Sequence, residues 1–442
     1  MHNTGIDGGR DVAASRGEVS EVSSSIQTGV DVLIITALKE EYDAARAAVG
    51  LSQWQEQGTG GPAPYATTRH RAATGETISV ALARATQLGG RSTAPIATRL
   101  AGELRPTCLA MSGVCAGNPA RTAPGDVIVA APAYEWDEGK HTDGGFRADP
   151  QQFPQDTRWI RTVQDFDPAV LLSHGTATDE EAEIWYLERL LRDQNPRKHP
   201  ARPRYFPHST WRSRLERMNA EGLIEWRDAG WALTDRGRDR IERIVYDDVD
   251  GPDRLPFEVL AGPMASGSAV MSEPRIWDRL EVGQRNLLAL EMEAATIATV
   301  AHQLQVPHWL VAKGVMDHAD LDKDDRFKRF AARASAEVLF ALLPRLLPRA
   351  TPPPGAPGAG DGVPGPVKLE IVRRLTYDWP DLADVVGAPA YDTRRFRAGD
   401  EPRELWHWLQ SRGRLPDLPG ALTEIGRGDL ASLLVPYLGR GL

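Results

Sequence analysis

Short apolar runs alternate with helical patterns along much of this chain, and that alternation limits the fold more than any other feature. Buried strands separated by helices are typical of an α/β sheet domain. After a long gap, the pattern resumes near residue 256. The predicted elements are strands at 32–36, 76–83 and 107–111, and helices at 39–49, 92–104 and 326–346.

Composition excludes several classes of protein. The 442 residues are enough for two or three domains, and a net charge of -9 argues against a dedicated nucleic-acid-binding protein. The two cysteines, Cys108 and Cys115, have neither the number nor the spacing of a disulfide framework or a metal site, which favours a reducing cytoplasm. No run of 18 apolar residues predicts a membrane span.

Composition also divides the chain into parts. Residues 1–29 are rich in Gly, Ser, Asp and Glu and have no apolar core, so they predict a disordered leader and not a signal peptide. Residues 30–348 carry the α/β pattern. Residues 349–366 are nearly all Pro, Gly, Ala and Asp and predict a linker. Residues 367–442 have apolar residues at helical spacing and predict a small all-α domain.

The gap in the α/β pattern, about residues 150–252, is too long for a loop and predicts an inserted unit. Its pattern is two helices at 179–193 and 209–219, a hairpin at 223–233 that turns at Ala229 and Gly230, and a helix at 234–246. Helix, hairpin and helix in this order resemble a winged helix.

A cluster of basic and aromatic residues lies within the insertion. Such a cluster is suited to nucleic acid or to the phosphates of a nucleotide, and the alternative is a solvated helix face. Its members are Arg197, Lys198, His199, Arg202, Arg204, Tyr205, His208, Trp211, Arg212, Arg214 and Arg217.

Two motifs carry the chemistry. Residues 290–295 (LEMEAA) place Glu293 at the start of an apolar helix, and residues 311–320 (VAKGVMDHAD) run an apolar strand into a loop that begins at Asp317. A carboxylate at a helix start can receive ligand hydroxyls, and one at the end of a buried strand can act as a general acid in a crevice. The alternatives are a first-turn glutamate and a helix-capping or solvated aspartate.

These motifs resemble the superfamily of nucleoside phosphorylases and methylthioadenosine-type nucleosidases, and other landmarks follow in the family order. The resemblance implies a three-layer α/β/α fold over residues 30–348. The further landmarks are a first strand with an acidic turn at 31–41, a glycine-rich ribose loop at 112–117, a strand at 125–130 and a base-binding segment at 266–271.

The resemblance also implies roles for single residues. Asp317 is expected to protonate the purine as it leaves, Glu293 to bind the ribose hydroxyls, and Glu41 to orient water. An exposed helix position is the alternative for Glu41. The positions expected to contact substrate are Met292, Gly113 and Val114 at the sugar, Gly89 and Arg91 on a second loop near it, and Val270 and Met271 at the base.

Two departures from the phosphate-using relatives favour water as the nucleophile. Met111 stands where those enzymes often have a phosphate-binding arginine, and Val114 where they commonly have a small hydroxyl residue. The prediction is therefore hydrolysis of the N-glycosidic bond of a purine nucleoside or nucleotide, without a metal or organic cofactor. A basic cluster over the active site would favour a phosphorylated substrate such as ATP.

The tail resembles the effector-associated, death-fold-like adaptor domains of bacterial conflict systems. That resemblance implies a partner protein bound through helical contacts and a role in antiphage defence, and the enzyme family implies a homo-oligomer. Three alternatives remain: a phosphate-dependent phosphorylase, a non-catalytic nucleotide sensor that signals through the tail, and DNA binding through the insertion.

Overall fold

The computed structural model describes residues 29–71, 77–143, 145–228, 230–273, 275–320, 325–347, 363–394, 396–412 and 414–438. The predicted leader up to residue 28 and most of the predicted linker lie outside the described residues. The chain divides into two compact units between Leu347 and Pro348. Among the described helices, none combines the length and the apolar character needed to cross a bilayer.

The first unit contains the strands. They are β1 (Val32–Thr36), β2 (Gln55–Gln57), β3 (Tyr65–Arg71), β4 (Thr77–Arg84), β5 (Cys108–Gly117), β6 (Val127–Glu135), β7 (Gly139–Thr142), β8 (Gly145–Ala148), β9 (Gln152–Phe153), β10 (Ile224–Arg227), β11 (Gly230–Leu233), β12 (Val259–Ser266), β13 (Ala289–Glu291) and β14 (His308–Asp317).

Helices occur in both units. Those of the first unit are α1 (Lys39–Val49), α2 (Gly90–Leu104), α3 (Thr157–Gln164), α4 (Asp179–Leu191), α5 (Arg202–Tyr205), α6 (Trp211–Ala220), α7 (Asp235–Asp247), α8 (Ile276–Glu281), α9 (Ala294–Gln303) and α10 (Lys328–Leu346). Those of the second are α11 (Gly365–Arg374), α12 (Trp379–Val385), α13 (Ala390–Thr393), α14 (Glu401–Ser411), α15 (Leu418–Glu424) and α16 (Gly428–Leu438).

A large mixed sheet forms the centre of the first unit. Its strands lie in the order β13, β12, β6, β14, β5, β1, β4, β3, β2, and β9 adds to β6. The neighbours β14, β5, β1 and β4 are parallel, as crossover helices require, whereas β6 runs antiparallel to β14. The carboxyl ends of the four parallel strands therefore meet at one edge of the sheet.

Both faces of the sheet are covered by helices, which confirms the predicted three-layer α/β/α fold. Val32 and Ile34 of β1 face a core that includes residues of α1, α3 and α10, while Leu33 and Ile35 face the core beneath α2 and α9. Alternate residues of a strand point to opposite faces, so a strand buried on both sides is apolar throughout. Each such side chain contributes about 1.5–3 kcal/mol through burial.

Most predicted element boundaries agree with the structure, but the expectation of a glycine-rich loop at 112–117 is wrong. These residues continue β5, which pairs with β14 along its length and with β13 at Ala116 and Gly117. The glycine at 117 is needed for packing, since a Cβ there would lie 2.6 Å from Cγ1 of Val315. Gly117 therefore marks a close approach between β5 and β14.

The insertion has its own hydrophobic core. It is built from α4, α6, the β10–β11 hairpin and α7, and includes Leu187, Leu215, Met218 and Ile241. The predicted helices and hairpin of the insertion are present, and the winged-helix resemblance stays a prediction. Of the predicted turn, Ala229 lies outside the described residues. A buried ion pair between Arg204 and Asp126 joins the insertion to the turn before β6.

The second unit is all-helical, as predicted. Its core is formed by residues from α11, α12, α14, α15 and α16, including Ile371, Leu382, Leu405, Leu422 and Leu434. This core is separate from those of the first unit, so the two units have independent sources of hydrophobic stabilisation.

Candidate active site

A cleft of about 190 Å³ opens at the carboxyl ends of the central strands. This edge is where ligands bind in open α/β sheets. The lining comes from seven segments of the chain: Leu38 and Glu41; Leu88; Val114, Cys115 and Ala116; Ala269, Val270 and Met271; Leu290, Glu291, Met292 and Glu293; Met316, Asp317 and Ala319; and Asp325 and Lys328.

Glu41 lies in the first turn of α1 and is 2% exposed. Its Oε2 accepts hydrogen bonds from the backbone N–H groups of Ala37 and Leu38, both at 2.9 Å, and its Oε1 accepts one from Val114 at 2.9 Å. The carboxylate therefore bridges the end of β1 and the edge of β5. Burial raises the pKa of Glu41, and the ammonium of Lys313 opposes that rise.

Gly113 leaves the space that this carboxylate occupies. A Cβ on residue 113 would collide with Oε1 of Glu41 and would lie 2.8 Å from its Cδ. The sequence predicted Gly113 as a substrate contact. In the structure it shapes the cleft by admitting Glu41, and Val114, which follows it, lines the cleft.

Lys313 is the site residue that the sequence analysis missed. It lies in the middle of β14, is 1% exposed, and holds Nζ 2.9 Å from Oε2 of Glu293 and 3.3 Å from Oε2 of Glu291. Burial alone would lower its pKa, but Glu293, Glu291 and Glu41 raise it, so the ammonium stays charged. The available signal was a lone charge inside an apolar strand, because buried charges are almost always paired.

Glu293 occupies the position just before α9. Its Oε1 accepts a 2.7 Å hydrogen bond from the N–H of Gly89, and its Oε2 accepts one from Lys313. Burial favours a higher pKa for Glu293, but Lys313 and the Gly89 N–H outweigh it and lower the pKa. Glu293 is therefore an ionised acceptor at the cleft, and Gly89, at φ 94°, reaches it through the backbone.

Glu291, also missed, holds the start of α9 in place. It accepts hydrogen bonds from Oγ of Ser266 at 2.6 Å and from the N–H groups of Glu293 and Ala294 at 2.9 Å. Burial raises its pKa, Lys313 opposes this, and Glu293 adds to it. The two glutamates on either side of Met292 thus have different contacts. Glu291 holds the backbone at the start of α9, and Glu293 lines the cleft and contacts Gly89 and Lys313.

Asp317 is the last residue of β14 and lines the cleft. Its Oδ1 accepts a 2.9 Å hydrogen bond from the N–H of Ala319. The next residue, His318, points away and donates from Nδ1 to the carbonyl of Gly117 at 2.7 Å, while Trp277 donates to the His318 carbonyl at 2.8 Å. Burial lowers the pKa of His318, so the ring is neutral. These contacts fix the backbone that carries Asp317.

The remaining predicted contacts divide into two groups. Met292, Val270 and Met271 line the cleft, with Val270 59% exposed at its rim. Arg91 is exposed on the first turn of α2 and does not line the described cleft. The structure therefore does not bring Arg91 to the other predicted site residues.

The basic cluster of the insertion does not cover the cleft either. Arg204 pairs with Asp126, and both Arg214 and Arg217 pair with Asp179. Arg204 therefore joins the insertion to the turn before β6, and Arg214 and Arg217 hold α6 to the start of α4. Among the described residues that line the cleft, the one cation is Lys328, whose Nζ is 3.3 Å from Oε2 of Glu40.

No group of three His, Cys, Asp or Glu side chains within the described ranges is arranged to hold a metal ion. The buried glutamates of the site are held by Lys313 and by backbone N–H groups.

Comparison with known families identifies the superfamily of the first unit. Residues 31–347, more than half of the chain, match the model of the phosphorylase superfamily. The chain belongs to the phosphorylase superfamily. Residues 365–436 of this superfamily member match bacterial death-like domain 3, which confirms the predicted resemblance of the tail.

Individual relatives are more distant. The uncharacterized protein y4jS of Sinorhizobium fredii is 36% identical over 101 residues, 22% of this chain and 24% of that protein. The 5'-methylthioadenosine/S-adenosylhomocysteine nucleosidase of Bacillus velezensis is 30% identical over 93 residues, 20% of this chain and 40% of that protein. The matched regions thus span well under half the length of these curated relatives.

Solved structures of 5'-methylthioadenosine/S-adenosylhomocysteine nucleosidases are similar in fold to this chain. That of S. pneumoniae, with a transition-state inhibitor, has a TM-score of 0.44 and 19% identity, covering 72% of this chain and 99% of that one. That of Neisseria meningitidis, with methylthio-immucillin-A, has a TM-score of 0.42 and 17% identity, covering 71% and 99%.

Proposed function

We propose that this protein hydrolyses the N-glycosidic bond of a purine nucleoside. The observation that carries the proposal is that Glu41, Glu293 and Asp317 line one cleft. The buried ammonium of Lys313 acts on both Glu41 and Glu293. A nucleosidase needs an acid for the base, an acceptor for the sugar hydroxyls and a group that activates water. The names of the nucleosidase relatives support the same class of reaction.

The proposed reaction assigns one step to each carboxyl group. As the bond between C1′ and the base nitrogen breaks, its electron pair leaves with the purine, and Asp317 gives the purine a proton. Glu293 accepts hydrogen bonds from the ribose hydroxyls and holds the sugar. A water molecule adds its oxygen to C1′ while Glu41 takes up its proton. Carboxylates near the sugar also stabilise the positive charge that develops there.

Water is favoured over phosphate as the nucleophile by the charge of the lining. Glu41, Glu291, Glu293 and Asp325 line the cleft, and Lys328 is the one lining cation among the described residues. A phosphate dianion would be repelled there unless further cations compensated. Met111, at the position of the phosphate-binding arginine of relatives, is fully buried in the sheet. A phosphorylase would need a phosphate site that these residues do not supply.

The identity of the substrate beyond the base is a finer proposal. Leu38, Leu88, Met292 and Met316 make part of the lining apolar, which suits a neutral nucleoside with an apolar 5′ substituent. ATP is the phosphorylated alternative, and Lys328 is the lining cation that would contact its phosphates. If ATP is the substrate, Lys328→Ala should raise the KM for ATP far more than that for adenosine.

A base-release assay tests the proposal. Purified protein is incubated with adenosine, methylthioadenosine, AMP, ATP and GTP, with and without phosphate, beside an Asp317→Asn control. We expect free purine without added phosphate, lost in the control. Release only with phosphate would identify a phosphorylase, and tight binding without release would identify a nucleotide sensor.

The death-like tail supports a proposal about context. We infer that the tail recruits a partner protein and that the enzyme acts as an effector in bacterial antiphage defence, in an oligomer and in the cytoplasm. The two buried, free cysteines are compatible with a reducing compartment. A pull-down in which protein lacking residues 348–442 keeps every partner of the full chain would contradict the recruitment proposal.

A further inference from the structure

A second and larger concavity lies in the insertion, away from the catalytic cleft. We call it the insertion groove. Its volume is about 1500 Å³, above the roughly 300–1,000 Å³ of most small-molecule sites. It is lined by Tyr186, Leu190, residues 193–198, Arg202, Pro203, residues 206–208, Trp211, Leu215, Trp226, Arg227, residues 230–233 and Arg238.

Aromatic rings form much of this groove. Phe206 and Tyr186 are buried at its base, and Trp211, Trp226 and Trp231 stand higher. Trp226, on the β10–β11 hairpin, is 61% exposed, with its ring edge-on to Trp231 at a centroid distance of 5.4 Å. An indole held in water at the tip of a hairpin contributes little to folding, so its exposed face is available to a ligand.

The charge of the groove is positive although the whole chain is acidic. Residues 193–217, which supply much of the lining, contain seven Lys and Arg against two acids, Asp193 and Glu216, a local net charge of +5. Three of these cations are used in ion pairs with Asp126 and Asp179. Arg197, Lys198 and Arg202 line the groove, and within the described ranges none has a carboxylate partner. Arg197 and Lys198 are exposed.

The helix before the hairpin, α6, is poorly suited to reading duplex DNA. In a winged helix this element would enter the major groove, yet Arg214 and Arg217 turn back to Asp179. Its exposed positions include Arg212 beside Glu216, so the helix presents almost no net charge. Stacking surfaces and unpaired cations instead lie together in the groove, the combination that binds unpaired bases and their phosphodiester backbone.

We propose that the insertion groove binds a single-stranded oligonucleotide, with bases against Trp226 and the neighbouring rings and phosphates against Arg197, Lys198 and Arg202. The groove exceeds the size of one nucleotide, so several linked nucleotides are the expected ligand. This site is separate from the hydrolytic cleft, and its occupancy does not require the proposed nucleosidase reaction.

Fluorescence anisotropy of the full chain with labelled oligothymidylate of about 15 nucleotides tests this. We expect binding that strengthens with length from two nucleotides upward and is weaker for a duplex of the same length. Equal or tighter binding of the duplex would overturn the proposal. So would a lack of length dependence, or full displacement by an equal concentration of ATP, which would indicate a mononucleotide site.

Charge reversal distinguishes binding in the groove from non-specific attraction to the positive surface of the insertion. Arg197→Glu with Lys198→Glu should raise Kd at least about tenfold and reduce the slope of log K against log salt by about 1.4. The matched control is Arg236→Glu with Arg243→Glu, two exposed arginines of α7 that do not line the groove. Equal losses in both double variants would contradict a defined site.

The aromatic contribution is tested by Trp226→Ala, with Tyr246→Ala, an 87% exposed residue outside the groove, as its control. Removing one stacking ring should raise Kd about fivefold or more, and the control should leave it unchanged. Asp317→Asn should bind as the wild type does, so loss of hydrolysis and loss of oligonucleotide binding are scored independently. Unchanged Kd in Trp226→Ala would overturn the stacking mode.

Discussion

At the scale of single residues, the site depends on one buried ammonium among three buried carboxylates. Lys313 contacts Glu291 and Glu293 directly, and its charge also acts on Glu41. Charges of this kind are tolerated in a core only as a set, because removing one member leaves another without compensation. The arrangement therefore links the stability of the sheet to the charge state of the cleft.

Lys313→Met should lower the free energy of unfolding by about 3–5 kcal/mol, because it leaves at least one buried carboxylate without a positive partner. Adding Glu293→Gln to that variant removes one of the uncompensated charges and should recover part of the loss. Urea unfolding of the wild type, both single variants and the double variant measures this coupling. Simple additivity of the two single effects would contradict the ion-pair network.

The raised pKa of Glu41 has opposite consequences for activity and stability. As the proposed base, Glu41 must be ionised, so kcat/KM should fall as the pH drops through a value above the usual range for glutamate. Its protonated form is favoured by folding, so its stabilising contribution is present at low pH and is lost as the pH rises through the raised pKa.

Glu41→Gln, which cannot ionise, should hydrolyse about a hundredfold or more slowly. Melting temperatures of the wild type and the variant across pH then test the linkage. The wild type should lose stability relative to Glu41→Gln as the pH rises. Parallel curves would show that the Glu41 charge is not coupled to folding.

At the scale of elements, the site is built where strand ends and helix starts meet. At residue 113 of β5, a Cβ would occupy the space of the Glu41 carboxylate, which spans α1 and β5. The start of α9 is fixed by Glu291 and Ser266, which places Glu293 against Lys313 in the middle of β14. Glu41 and Glu293 are therefore each held partly by an element other than their own.

Gly113→Ala should displace the Glu41 carboxylate from the Val114 N–H and lower kcat, by about a hundredfold if the shift approaches 1 Å. The matched control is Gly102→Ala in α2, where an added Cβ meets nothing within 4 Å. That control should keep full activity and gain about 0.5–1 kcal/mol of stability, because alanine favours a helix interior. Base-release kinetics and urea titrations of both variants measure the contrast.

At the scale of the whole molecule, the two family matches fall in units with separate cores. The phosphorylase-superfamily unit and the death-like unit are matched by different families, at 31–347 and 365–436. The insertion, in contrast, belongs to the first unit and is joined to it by the buried pairs of Arg204 with Asp126 and Arg326 with Glu188.

Calorimetry of the full chain should therefore show two unfolding transitions. Protein ending at Leu347 should keep one of them at an unchanged temperature, since its cores contain no residue of the second unit. Loss or a large shift of the remaining transition would show that the two units stabilise each other.

Local patterns along the chain predicted an α/β unit, many of its elements and the helical tail, whereas the three-layer fold was implied by the family resemblance. The bounds of β1 and α1 followed from residues two to four positions apart, which share a face of a strand or helix. The motif around Glu293 and Asp317 indicated the family for a related reason, because each motif lies within a few residues at one element boundary. These properties depend on near neighbours in the sequence and can be read there.

Contacts between distant residues were decided by packing of the whole unit. Lys313 could be recognised as a site residue only once β14 lay against the segments that carry Glu41 and Glu293. The extension of β5 to Gly117 required its pairing with β13 and β14. Within the basic cluster, the sequence alone did not show which arginines form ion pairs. The fold shows it by placing Asp126 beside Arg204 and Asp179 beside Arg214. Burial and charge pairing depend on which segments meet in three dimensions, and the spacing of residues in the chain does not specify those meetings.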